Sequence, residues 1–110
     1  MKWYKDLYLG ETIATDAKKI IRKLKLNKFV SDVYVISFAS NPQNLLDIIP
    51  SWELCQKGYP KEKIRIIGLA SGKEEAKELV RKIVDETYQI TGHTDVRLYL
   101  KGKWRDAQWK

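Results

Sequence analysis

Cysteine occurs once in the chain, at Cys55, so no disulfide can close within it and no pair of thiolates can hold a metal. Histidine also occurs once, at His93, which leaves any transition-metal site to rest on carboxylates. No apolar run approaches the roughly 18 residues that a membrane span requires. The opening MKWYKDLYLGE lacks the apolar centre of a secretory signal. The expectation is a soluble, cytoplasmic protein with no membrane partner. A paired-glycine dinucleotide fingerprint is missing as well. Gly68 to Lys73 (GLASGK) has one residue too few between its glycines for a phosphate loop, and Glu74 stands where the metal-binding hydroxyl belongs. Nucleotide hydrolysis is therefore disfavoured, and no cofactor is expected.

What is present is an ordinary apolar content, 44% of 110 residues, enough for one domain with its own core. The net charge of +7 is unevenly placed: residues 1–30 hold eight basic and three acidic side chains, residues 31–72 hold four of each, and residues 73–110 hold nine and seven. Such asymmetry favours a polyanionic partner. Between Glu11 and Leu26, Ile13, Ala14, Ala17, Ile20, Ile21 and Leu24 recur at helical spacing, while Lys18, Lys19, Arg22, Lys23 and Lys25 occupy the other faces. These five cations are the candidate polyanion-binding residues. Lysines and arginines on one exposed face displace counterions from a phosphate backbone, although a plain solvated face has the same composition.

One pattern occurs twice. Val33 to Ile49 and Ile64 to Val80 align without a gap, each an apolar run followed by Ala-Ser and a helix start. The runs Asp32 to Ala39 and Lys63 to Ala70 read as buried strands, too continuous for half-exposed ribbons and better suited to a parallel sheet. Asn41 and Pro42 predict a helix opening that carries Leu45, Leu46, Ile48 and Ile49 inward. Pro50 then ends it, and a short second helix starts at Ser51. The longest helix runs from Lys73, with Ala76, Leu79, Val80, Ile83, Val84, Thr87 and Tyr88 on its apolar side and Gly92 as its cap. Val96, Leu98 and Leu100 alternate with Arg97 and Tyr99, as in an edge strand. Asp6 to Leu9 offers a possible fourth strand. The resulting expectation is a small three-layer α/β domain over residues 1–100, with a mainly parallel sheet of three or four strands flanked by helices, and a basic aromatic tail over 101–110.

Two strand-to-helix turns in one parallel sheet would set their N–H groups at the same edge. On that reading Ser40, Asn41, Ser71, Gly72 and Lys73 form a candidate anion site. Plain capping is the other reading, since Ser71 with Glu74 has capping-box spacing and Asn41 before Pro42 suits a cap. His93 needs a nucleophile beside it to act as a base, and Cys55 or a cap serine would serve only if the fold brought it near. No catalytic or metal-binding residue is assigned. In the tail, Trp104 and Trp109 are interleaved with Lys103, Arg105 and Lys110, a composition that suits base stacking, partner docking or fraying.

The segments KWYKDLYLGE, VYVISFASNPQNLLDI and TGHTDVRLYL together resemble a group of short uncharacterised bacterial proteins to which no activity is assigned. The resemblance implies only that the three segments belong to one small domain. The functional expectation is a non-enzymatic binding or regulatory module for an anionic partner, either nucleic acid or a phosphate-bearing ligand. The alternative is a small enzyme or metabolite sensor that uses the two strand-to-helix turns. A homodimer is also expected, through the final strand or the aromatic tail, because an open sheet edge and large apolar groups need cover.

Overall fold

The computed structural model describes residues 1–39, 41 and 43–103, without the side chains of 101–103. Ser40, Pro42, the side chains of Lys101 and Lys103, and the tail residues Trp104, Arg105, Trp109 and Lys110 lie outside the described residues. The elements run β1 (Lys2–Leu9), α1 (Ala17–Lys25), β2 (Val33–Phe38), β3 (Leu46–Pro50), α2 (Ser51–Leu54), β4 (Arg65–Ser71), α3 (Lys73–Thr91) and α4 (Val96–Lys103). Short 3-10 turns occupy Ala14–Asp16 and Lys61–Lys63.

The sheet order is β1-β4-β2-β3. Only β1 and β4 run parallel; β2 is antiparallel to both β4 and β3. The sheet is thus mixed, not mainly parallel. Residues 39–45 connect β2 to β3, and so short a link permits a hairpin but not the crossover of a dozen or more residues that parallel neighbours need.

Alternation along the strands builds two cores. Val33, Val35, Ile49, Ile66 and Leu69 face one side, where they pack with Ile20 and Leu24 of α1 and Leu54 of α2. Ile36, Phe38, Ile67 and Ala70 face the other, against Ala76, Leu79 and Ile83 of α3 and Val96, Tyr99 and Leu100 of α4. The result is three layers. Burying each large aliphatic side chain contributes about 1.5–3 kcal/mol before entropy is counted. In β4, where Ile66 and Leu69 lie on one face and Ile67 and Ala70 on the other, the register against β2 shifts between Ile36 and Ser37. That is a bulge, and it breaks the period-two alternation.

Two expected elements are of the other type. The predicted helix through Leu45–Ile49 is strand β3, in which Leu46 and Ile48 join the α3 side while Ile49 joins the α1 side. A short apolar run fits either period, and pairing with β2 decided it. Pro50 closes this edge strand, a place in a sheet where proline is tolerated, and α2 starts at Ser51. The predicted final strand is helix α4. Its buried residues are Val96, Tyr99 and Leu100, a helical spacing that leaves Leu98 outside. Asp95 caps it by accepting the Leu98 N–H at 3.1 Å. The open sheet edges are therefore β1 and β3, which removes the edge-strand ground for a dimer through residues 96–100.

The two aligned segments are not two copies of one unit. β4 leads into α3, whereas β2 turns back into β3. α3 closes at Gly92, whose φ of +80° suits glycine and whose N–H donates to the Tyr88 carbonyl at 2.8 Å.

Candidate functional site

Because β2 and β4 are antiparallel, Val33 at the start of β2 pairs with Ser71 at the end of β4. The turn after β2 therefore lies at the opposite end of the sheet from Ser71, Gly72 and Lys73. Asn41 is not brought near them, and Ser40 lies outside the described residues. Among the described members of the candidate anion set, Asn41 is thus separated from Ser71, Gly72 and Lys73.

At the β4–α3 turn, the chain supplies its own carboxylate. Glu75 accepts from the Ser71 N–H at 2.5 Å, from the Thr12 hydroxyl at 2.6 Å and from the Thr12 N–H at 3.0 Å. Burial opposes its ionisation, but the hydrogen bonds from Thr12 and Ser71, with the charge of Lys82, outweigh burial and hold the carboxyl below its ordinary range. The expected Ser71–Glu74 capping box is not formed. Glu74 instead pairs with Lys77 at 3.6 Å on the exposed side of the helix. Gly10 leaves room for this carboxylate, since a Cβ there would stand 2.2 Å from Glu75 Oε2 and push the side chain aside.

At the β2 turn the Gln43 N–H donates to Asn41 Oδ1 at 2.9 Å, and Asn44 N–H donates to the Asn41 carbonyl at 3.0 Å. Asn41 thus caps a turn of the hairpin, not a helix. Arg97 of α4 reaches this end of the sheet: its guanidinium donates to the Ala39 carbonyl at 2.8 Å and lies 5.1 Å from the Phe38 ring centre. Two clefts of about 400 Å³ adjoin at Ala39 and Arg97. One includes Asn44, Thr94 and Asp95; the other includes Asp47, Tyr59 and Lys63. Burial, then the Glu53 carboxylate, pushes the Tyr59 phenol up. The lining is of mixed charge. Arg97 was hidden in the sequence by the strand reading; the helical spacing of Val96, Tyr99 and Leu100 is the signal that would have placed it.

The outer face of α1 is of one charge. Ala17, Ile20 and Leu24 are buried, while Lys18, Lys19, Arg22 and Lys25 are exposed and Lys23 is half-buried. Lys18, Lys19, Arg22 and Lys23 form no ion pair among the described residues. Lys25 Nζ lies 5.9 Å from the Trp3 ring centre. Lys18, Arg22 and Lys25 fall in one stripe about 10 Å long, within a Debye length at ordinary salt, so their fields add.

His93 makes its hydrogen bonds within its own turn, with Nδ1 accepting the Asp95 N–H at 3.1 Å. Among the described residues no group of three or more His, Cys, Asp or Glu side chains is placed to hold a metal, and no helix is long and apolar enough to cross a membrane. In comparisons with known proteins, no family model, curated protein or solved structure matches the chain.

Proposed function

We propose that the protein is a non-enzymatic binding module for an anionic partner, with the outer face of α1 as the contact surface. The observation that carries this reading is the set Lys18, Lys19, Arg22 and Lys23, four cations with no carboxylate partner among the described residues, the first three opposite the side of the helix that meets the core and Lys23 at its flank. Elsewhere three cations are paired with carboxylates, Lys77 with Glu74, Arg81 with Glu78, and Lys82 with Glu11, and the unpaired ones are not gathered on one helix face. A helix that presents uncompensated charge on a rigid, core-anchored face suits a phosphate backbone, where each contact releases condensed counterions. The test is binding to heparin, RNA and duplex DNA at low and high salt. Binding that weakens steeply with salt supports the reading, and no binding to any of them at low salt overturns it.

A second reading, a metabolite-binding cleft, is favoured by the adjoining clefts at Arg97, where a guanidinium, Lys63, Tyr59 and Asp47 converge on one volume of about 400 Å³. A thermal-shift screen with phosphates, nucleotides and acidic metabolites separates the two, because a ligand bound to the native state raises apparent stability. A flat screen removes the cleft reading. Self-association belongs to the proposal through exposed Leu98 and the aromatic tail, and light scattering at high concentration tests it.

A further inference from the structure

At the C-terminal end of α1 the cationic face meets exposed aromatic surface. The Ser51 hydroxyl donates to the Val30 carbonyl at 2.5 Å, which ties the first residue of α2 to the segment after α1. Phe29 and Trp52 flank this bonded pair, and both are exposed, at 56% and 51%. Asn27, at a φ of +60°, ends the helix two residues before Phe29, and the Lys61 ammonium donates to its Oδ1. Lys25, Lys28 and Lys57, close to the rings in sequence, are also exposed.

We propose that this patch binds single-stranded nucleic acid, with the bases stacked on Phe29 and Trp52 and the backbone running along the Lys18, Arg22, Lys25 stripe. The inference rests on the polyanion reading and narrows it. Exposed rings offer flat faces to any base, whereas bases paired in a duplex are already stacked and cannot use them. Charge decides the occupant: a second copy of this chain would bring a net +7 against the same cations, whereas a nucleic acid strand brings one negative charge per nucleotide. The rings themselves supply affinity that salt does not screen, so the patch should combine a salt-dependent and a salt-independent part.

The experiment measures anisotropy of a labelled single-stranded oligo(dT) and of a matching duplex, with heparin and anionic phosphatidylserine vesicles as competitors. The wild-type chain, F29A/W52A and K18Q/R22Q are compared, with circular dichroism confirming that each variant is folded. The single strand should be bound at least about tenfold more tightly than the duplex, and F29A/W52A should lose at least about tenfold on the single strand with its salt slope unchanged. K18Q/R22Q should flatten the slope on both nucleic acids. Equal binding of single strand and duplex, an undiminished F29A/W52A, or preferential displacement by vesicles overturns the stacking proposal while leaving the polyanion reading intact. No binding to oligo(dT), duplex or heparin overturns both.

Discussion

Glu86→Ala should be among the most destabilising single changes outside the apolar core. The Glu86 carboxylate on α3 accepts two phenol hydroxyls on one oxygen, Tyr8 of β1 at 2.6 Å and Tyr99 of α4 at 2.9 Å. Three elements therefore meet at one charge. Tyr99 is buried and Tyr8 half-buried, so both hydroxyls would lose an acceptor that water replaces only in part. Hydrogen bonds to a charged group are worth about 1.5–3 kcal/mol each, and because Glu86 is itself half-exposed the lower end applies, giving roughly 3 kcal/mol for the alanine. Glu86→Gln keeps an acceptor oxygen without the charge and should cost about 1 kcal/mol. Against a total stability of about 5–15 kcal/mol, the alanine should lower the melting temperature by roughly 10 °C. Urea unfolding followed by circular dichroism measures both variants, with an unchanged m-value showing that the native surface is intact. A loss under about 0.5 kcal/mol for Glu86→Ala, within ordinary surface scatter, would refute the reasoning.

Glu75→Ala should cost about 1–2 kcal/mol, and Gly10→Ala a similar amount because its Cβ displaces the Glu75 carboxylate; the double variant should cost little more than either alone in a double-mutant cycle. Since the Glu75 carboxyl is held below its unfolded value, its contribution is present above that value and fades as pH falls through the folded one, so urea midpoints of wild type and Glu75→Gln should converge in acid. At the alkaline end the sign reverses. Burial first, with the Glu86 hydrogen bond at Tyr8 and the Asp6 charge at Tyr4, pushes both phenols up, so stability present below an unfolded phenol value of about 10 is lost as pH rises beyond it. Absorbance of phenolate should then rise together with loss of the circular dichroism signal; ordinary titration of every tyrosine in a folded protein would contradict this. Asp95→Ala removes the cap of α4 and should cost about 1 kcal/mol, read by thermal melts.

The helices α1 and α3 were legible because their apolar spacing extends over several turns, and Asn27 and Gly92 mark their ends by chain chemistry alone; the start of α1 was not, since the spacing from Glu11 runs through a 3-10 turn at Ala14–Asp16 and the helix begins only at Ala17. β4 was legible as a buried run. Leu45 to Ile49 was not, because two apolar pairs around Asp47 satisfy a helix and a two-sided strand equally, and only the partner strand decides. Val96 to Leu100 misled for a related reason: its five residues alternate on paper, yet the buried set is Val96, Tyr99 and Leu100. Strand direction left no local trace. Asp32 closes the connection between the two strands by accepting the Gly72 N–H at 2.7 Å, a contact across 40 positions that no local pattern announces. The split of Asn41 from Ser71 follows from that direction alone. The basic face of α1 was readable because charge opposite an apolar stripe is a local pattern, whereas the bond between Ser51 and Val30, the residues next to Trp52 and Phe29, joins segments 21 positions apart and left no local sign.

The slope of log binding constant against log salt, measured on a single-stranded oligonucleotide for the wild-type chain and for a variant with Lys18, Arg22 and Lys25 all changed to Gln, tests the central claim most directly. The three stripe cations engaging phosphates contribute about −2 to the wild-type slope, a contribution that the variant should lose. Identical slopes for the two proteins, or no measurable binding by the wild-type chain at low salt, would contradict it.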